Sequence, residues 1–213
     1  MDVSEIIDRL DSAGFEDTGD EDKMDAINDT LWDIESREEW PWALKSTNLT
    51  FDGSSPTPTN IPSDFKQVKW VTDTTSGNSI WWERLDTIRN RYGSQLTLVQ
   101  DPWCFYFLGD TLRFYPIPNA SSTRYVLDYY ASQPELATTD VEASIYLPQR
   151  HHRTIVLGAL AKLYQIEDDP ELSQVNKDDY ERRIITMQKD LIKKQFVNPD
   201  HIFVIDEDDE WSY

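Results

Sequence analysis

Two adjacent histidines, several carboxylate clusters and one cysteine are the groups in this 213-residue chain that could do chemistry. His151-His152 offers two imidazoles, the usual ligands of zinc. Helical metal ligands need a spacing of three or four residues, whereas neighbours point to different faces. Arg150 and Arg153 flank the pair and repel a cation. These histidines are therefore read as structural. The acidic runs suggest calcium, but Asp206–Glu210 lacks the alternating ligand ladder and its glycine. Asp17–Asp22 contains Gly19 but no ladder and no closing glutamate, so both runs read as solvated charge. Carboxylate pairs suited to glycoside hydrolysis arise by chance among 40 acidic residues and carry no signal. Cys104 lies in Trp103-Cys104-Phe105-Tyr106-Phe107, the setting of a small buried hydrophobe and not of a nucleophile. The chain has no GxSxG, P-loop, GxGxxG or HExxH motif. No catalytic residue, cofactor or metal is expected, and the chain is not expected to be an enzyme.

The composition points to a folded protein with a polar surface. Hydrophobic residues are 38% of the chain and aromatics 12%, with eight Trp, more aromatic content than a disordered chain of this charge carries. The net charge is −20, from 20 basic and 40 acidic residues. It is unevenly placed: −12 over residues 1–39, −3 over 40–147, +1 over 148–197 and −6 over 198–213. Such a surface repels nucleic acid and anionic membranes. It suits a basic protein partner, or a wall that DNA must pass without sticking. One cysteine allows no internal disulfide, and the start Met1-Asp2-Val3-Ser4-Glu5 lacks signal-peptide character. A soluble protein made in the cytoplasm is expected.

The periodicity predicts helices at both ends and strands between. Val3, Ile6, Ile7 and Leu10 predict a helix over 3–13, ended by Gly14. Met24, Ile27, Leu31 and Ile34 give one narrow apolar stripe on a helix over 22–39. Its other faces are acidic, with Asp25, Asp29 and Asp33 prominent. Trp40-Pro41-Trp42 stops it, and the two Trp are expected to fold back over its end. An edge strand is predicted near Leu49–Phe51. A hairpin is predicted from 68–71 and 79–82 around Thr74–Asn78, and a short helix from Leu85, Ile88 and Tyr92, closed by Gly93. Gly109-Asp110 predicts a two-residue hairpin between 105–108 and 111–115, and Tyr125–Tyr130 a further strand. Pro148 opens a helix to about Gln165, and a last helix runs from Pro170 to Phe196 on a stripe of Leu172, Tyr180, Ile184, Met187 and Leu191. The expected fold is α+β: a helical bundle from residues 1–42 and 148–197, an inserted antiparallel β region over 43–147, and an acidic extended tail over 198–213.

Several groups are candidates for contact with other molecules. Trp70, Trp81, Trp82 and Trp103 could stack on sugar rings, but core or subunit-interface roles are favoured. The stripe residues Met24, Ile27 and Leu31, with Trp81, Trp82 and Trp103, are the subunit-interface candidates. The tail carries Phe203, Ile205, Trp211 and Tyr213 among its carboxylates, the pattern of a segment that docks on a partner, with folding back on its own chain the alternative.

Four passages together resemble the head–tail adaptor, or neck, proteins of tailed phages, including the portal-adaptor and tail-tubular relatives. They are Ile27 through Trp42, Ile61 through Val68, Leu112–Pro116 with Leu127–Tyr130, and Tyr146–His152 continuing through Ile155–Tyr164 to Asp168-Asp169-Pro170-Glu171 and Tyr180. The resemblance covers residues 24–195 and leaves out the acidic tail. It implies a homo-oligomeric ring, usually of twelve subunits, in the virion neck. Such a ring would sit under the portal protein, above a tail or nozzle protein, with DNA passing the lumen without specific binding and with no membrane contact. Asp25, Asp29 and Asp33 are the candidates for lumen charge. Two other classes fit parts of the sequence: a carbohydrate-binding module of a tail structure, which requires exposed Trp in a groove, and an acidic DNA-mimic inhibitor, which requires carboxylates spaced like phosphates.

Overall fold

A computed structural model describes residues 2–93, 96–119, 121–140 and 145–195. The tail candidates Phe203, Ile205, Trp211 and Tyr213 lie outside the described residues. The fold is α+β, with N- and C-terminal helices in contact and antiparallel strand pairing in the region between them. The chain forms two compact units, Met1–Ser4 with Leu31–Pro148, and Glu5–Thr30 with Gln149–Tyr213.

The helical unit draws on α1 (Val3–Leu10), α2 (Asp20–Arg37), α4 (His152–Ile166) and α5 (Pro170–Gln195). After α1 the chain makes a wide turn over Asp11–Phe15, where Gly14 takes φ 112°, a backbone state costly for residues with a Cβ. The buried Lys23 ammonium is paired with the Asp11 carboxylate, which gives this cation the partner that burial demands. Gly158 of α4 lies against Thr30 of α2 and Tyr180 of α5. The Tyr164 hydroxyl donates to the Ala13 carbonyl at 3.2 Å, and its ring meets Phe15 edge-on at 4.8 Å. Between α4 and α5, Asp168 adopts φ 60°. Asp169 then caps α5 by accepting from the Leu172 amide at 3.0 Å, with Pro170 in the first helical position. Tyr180, Ile184, Met187 and Leu191 form the buried stripe of α5, but Leu172, expected with them, is 42% exposed. It stands in the first turn, eight residues before Tyr180.

The β unit holds two three-stranded sheets. β1 (Leu44–Asp52), β6 (Ser121–Ala131) and β2 (Phe65–Asp73) form one, in the order β1-β6-β2 with all pairs antiparallel. β3 (Trp81–Trp82), β4 (Cys104–Leu108) and β5 (Thr111–Tyr115) form the other, in the order β3-β4-β5. Leu49, Phe51, Val71, Ile80, Phe105, Leu112, Phe114 and Leu127, drawn from both sheets and the turn after β2, share one core. Alternate residues of the second sheet serve its opposite face, where Cys104, Tyr106 and Tyr115 cluster with Ile88 of α3 (Leu85–Tyr92). Covering both faces of this sheet explains the unbroken aromatic run around Cys104.

Gly109-Asp110 forms the expected two-residue turn, with Leu108 opposite Thr111 and Gly109 at φ 58°. Gly93 closes α3 at φ 87°, its amide bonded to the Arg89 carbonyl. The predicted hairpin around Thr74–Asn78 is corrected. Its first rungs form, with Asp73 N–H donating to the Asn78 carbonyl and Ile80 N–H to the Val71 carbonyl. The chain then leaves β2, and Trp81-Trp82 pair in parallel with Cys104-Phe105 in the other sheet. Trp40 does fold back over the end of α2: it is buried, its indole N–H donates to the Ile34 carbonyl at 2.6 Å, and Trp42 stacks on it at 4.6 Å.

Candidate docking surfaces

Each unit presents one feature suited to contact with another molecule. In the β unit it is a set of uncovered tryptophans. Trp81 and Trp82 are 64% and 55% exposed, Trp70 is 50% and Trp103 is 38%. β2 and β3 are edge strands, which places Trp70, Trp81 and Trp82 at sheet margins. Trp103 leans on Tyr92 and Tyr115, with ring centroids 5.6 and 6.1 Å away. The core reading of these four residues is thereby corrected, because the core is filled by aliphatic, Phe and Tyr side chains from the strand interiors and the turn after β2.

A cleft of about 590 Å³ separates Trp81 and Trp103 from the turn after β2. Arg124 of β6 spans its floor, donating to Asp73 at 2.9 Å and paired with Asp101 at 3.0 Å. Asp73 also accepts from the Thr75 amide and the Ser76 hydroxyl. Burial pushes the Asp73 carboxyl up, yet those bonds and the guanidinium outweigh it and hold the group below its usual range. The polar groups thus stiffen the frame that presents the tryptophans.

A second polar frame supports β1 and β2. The Asp64 carboxylate accepts from Lys45 at 2.6 Å, Tyr129 at 3.0 Å and Tyr146 at 3.2 Å, while the Lys45 ammonium lies 3.7 Å from the Tyr146 ring centre. Burial raises the Asp64 pKa, but these donors outweigh burial and leave it lowered. Burial and the neighbouring carboxylate push the Tyr129 hydroxyl up to about 12. Glu35 ties α2 to the strand end by accepting from the Ser132 hydroxyl at 2.8 Å and the Gln133 amide at 2.6 Å.

Three interface candidates are corrected. Met24, Ile27 and Leu31 are 2%, 0% and 4% exposed within the subunit. Side chains covered by their own chain leave no surface for a neighbour. Their helical stripe looked the same in sequence as a subunit interface because both require period-3.6 apolar spacing. Trp32, half exposed on the same helix, was missed. It falls off the stripe, which is the signal that could have found it. Among the lumen candidates, Asp29 pairs with Lys162 at 3.0 Å and Asp33 with Arg37 at 2.8 Å, while Asp25 is exposed. Two of the three charges are therefore locally compensated.

In the helical unit the feature is basic. Arg153 of α4 and Arg182 and Arg183 of α5 line a groove of about 360 Å³ with Leu157, Asp179 and Thr186. Sequence reading noted Arg153 beside the histidines but could not bring it together with Arg182 and Arg183, because their shared face depends on how α4 packs on α5.

His151 and His152 are both buried, and His151 Nε2 accepts from Arg150 at 2.8 Å. Among the described residues no group of His, Cys, Asp or Glu is placed to hold a metal ion. No described helix is long and apolar enough to cross a membrane. Cys104 is fully buried, and burial together with Glu83 pushes its thiol up to about 12, leaving it no nucleophile at neutral pH.

An α+β chain of paired end helices and inserted sheets, with polar side chains bonded into frames and Trp70, Trp81 and Trp82 turned outward, has the character of a structural protein that binds others. A family model for the SU10 adaptor protein matches residues 1–198, and the chain belongs to that family of phage adaptor proteins. It is a family of structural adaptors and not of enzymes. No curated protein matches the chain at a significant level.

Proposed function

We propose that this adaptor is a subunit of a head-to-tail connector ring that docks under the portal, leaves a channel for DNA and receives a tail or nozzle protein below. The observation that carries this reading is the exposure of Trp81 and Trp82 on an edge strand held by a rigid core. Monomeric proteins seldom leave such rings uncovered, and apolar surface of this kind marks a contact with another protein. Covering the exposed parts of these two side chains removes on the order of 250 Å² from water, roughly 6 kcal/mol before the costs of association. A ring of subunits each at −20 needs such a contribution to overcome mutual repulsion. Trp103 joins the same interface. Asp25, with the partly compensated Asp29 and Asp33, faces the channel, where negative charge prevents DNA from condensing on the wall. Phe203, Ile205, Trp211 and Tyr213 anchor the tail on a partner as the ring assembles. The assembled protein resides in the virion neck.

The test is electron microscopy of the purified chain, alone and with its cognate portal. A ring that forms on the portal, and is lost when residues 199–213 are removed, supports the reading. Failure to associate with the portal at any salt concentration refutes it.

A further inference from the structure

The groove between α4 and α5 is an anomaly in a chain of net charge −20. Arg153, Arg182 and Arg183 converge on it with only one lining carboxylate, Asp179, which pairs with Arg182 at 2.9 Å. Among the described residues Arg153 and Arg183 have no hydrogen-bond or ion-pair partner. Leu157 supplies an apolar floor, and Thr186 a hydroxyl that bonds back to the Arg182 carbonyl at 2.9 Å. The groove therefore fits an acidic peptide that also carries apolar side chains.

The chain contains one such peptide close by. Residues 198–213 hold six carboxylates, no basic group, and Phe203, Ile205, Trp211 and Tyr213. This segment follows directly on α5, which itself forms one wall of the groove. Arg183 lies twelve residues before Gln195, about 18 Å back along the helix. Asp206, the first residue of the Asp206–Glu210 run, lies eleven residues beyond Gln195 and can reach about 36 Å when extended. Asn198-Pro199, three residues beyond Gln195, is a dipeptide that initiates turns. The reach exceeds the distance by enough to allow for a reversal. Covalent connection also gives the tail an effective concentration in the millimolar range, far above that of any free acidic peptide.

We infer that the acidic tail folds back onto its own chain, with Asp206–Glu210 lying along Arg153, Arg182 and Arg183. An aromatic side chain of the tail stacks there on a guanidinium. The contact masks the tail anchors in the unassembled subunit and holds them for release when a partner competes for them. The masking role rests on the connector reading, whereas the contact itself is tested without the portal, so the two can fail separately.

The test places the photo-crosslinking residue p-benzoylphenylalanine at position 211 of the full chain, in a dilute one-to-one mixture of ¹⁴N- and ¹⁵N-labelled protein. Mass spectrometry then maps the products. Crosslinks should fall within residues 150–157 and 179–189 and join peptides of the same isotope. R153E/R183E should lower their yield about five-fold, and D208R/D209R in that background should recover it, as expected for two exposed ion pairs. R153Q/R183Q serves as the milder pair if the reversal disturbs folding, and circular dichroism reports which is the case. Crosslinks elsewhere, mixed-isotope products, or a yield insensitive to both arginine pairs would overturn the inference. So would duplex DNA binding that depends on these arginines while the crosslink is absent, since the groove would then be a phosphate site.

Discussion

Replacing Gly158 by alanine tests the packing of the helical unit at its tightest point. A Cβ added there would stand 2.4 Å from Thr30 Cγ2, 2.9 Å from Thr30 Oγ1 and 3.1 Å from Tyr180 Cε2. The first contact is about 1 Å closer than carbon atoms tolerate. Neither neighbour can step aside easily. Thr30 is 1% exposed and its hydroxyl donates to the Ala26 carbonyl at 2.7 Å, while Tyr180 is 6% exposed. Overpacking of this kind costs about 2–3 kcal/mol. Alanine gains about 1 kcal/mol over glycine in a helix interior, because glycine loses more backbone freedom on folding. The net expectation for G158A is a loss of about 1–2 kcal/mol, or a drop in Tm of about 2–8 °C for a chain of this size. Thermal unfolding followed by circular dichroism measures it. T30A removes both clashing atoms, so T30A/G158A should be more stable than G158A alone, with a coupling of at least about 1 kcal/mol in a double-mutant cycle. An unchanged or raised Tm in G158A, or additive effects in the cycle, would show that the two helices are not packed this closely.

Three further outcomes follow from the β unit. W81A/W82A should leave the Tm of the isolated chain within about 2 °C, since both rings are more than half exposed, yet abolish assembly on the portal as read by electron microscopy. D64N should destabilise the chain near neutral pH by weakening the bonds from Lys45, Tyr129 and Tyr146. Because the folded pKa of Asp64 is lowered, its contribution is present above the unfolded value near 4 and fades as pH falls through the folded one. The urea midpoints of wild type and D64N should therefore differ at pH 7 and converge as the pH falls below the usual carboxylate range; a difference independent of pH would exclude the ionised carboxylate as its source. Cys104, with its thiol pushed up to about 12 and its side chain fully buried, should resist thiol reagents at pH 8 until the protein is unfolded. Rapid native labelling would contradict the placement of β4.

Local chemistry was legible in the sequence wherever one short stretch carried the whole constraint. Gly109-Asp110 determined its turn because a two-residue hairpin needs positive φ, and Gly93 closed α3 for a related reason. Asp168-Asp169-Pro170 marked the break between the last two helices through capping chemistry. The stripe Tyr180, Ile184, Met187 and Leu191 identified a buried helix face without reference to anything outside that helix. Residue order alone also placed the charge along the chain, with negative ends and a nearly neutral middle. Tertiary structure decided everything that depended on a second segment. The partner of Trp81-Trp82 was one such matter, because strand pairing is a choice among edges, and β4 won over β2 after only the first rungs of a hairpin. Whether the stripe of Met24, Ile27 and Leu31 met its own chain or another was equally undetermined, since apolar spacing records that a face is covered and not what covers it. The arginine groove depended on the same kind of information: Arg153 and Arg183 are thirty residues apart in sequence, and only the packing of α4 on α5 makes them neighbours.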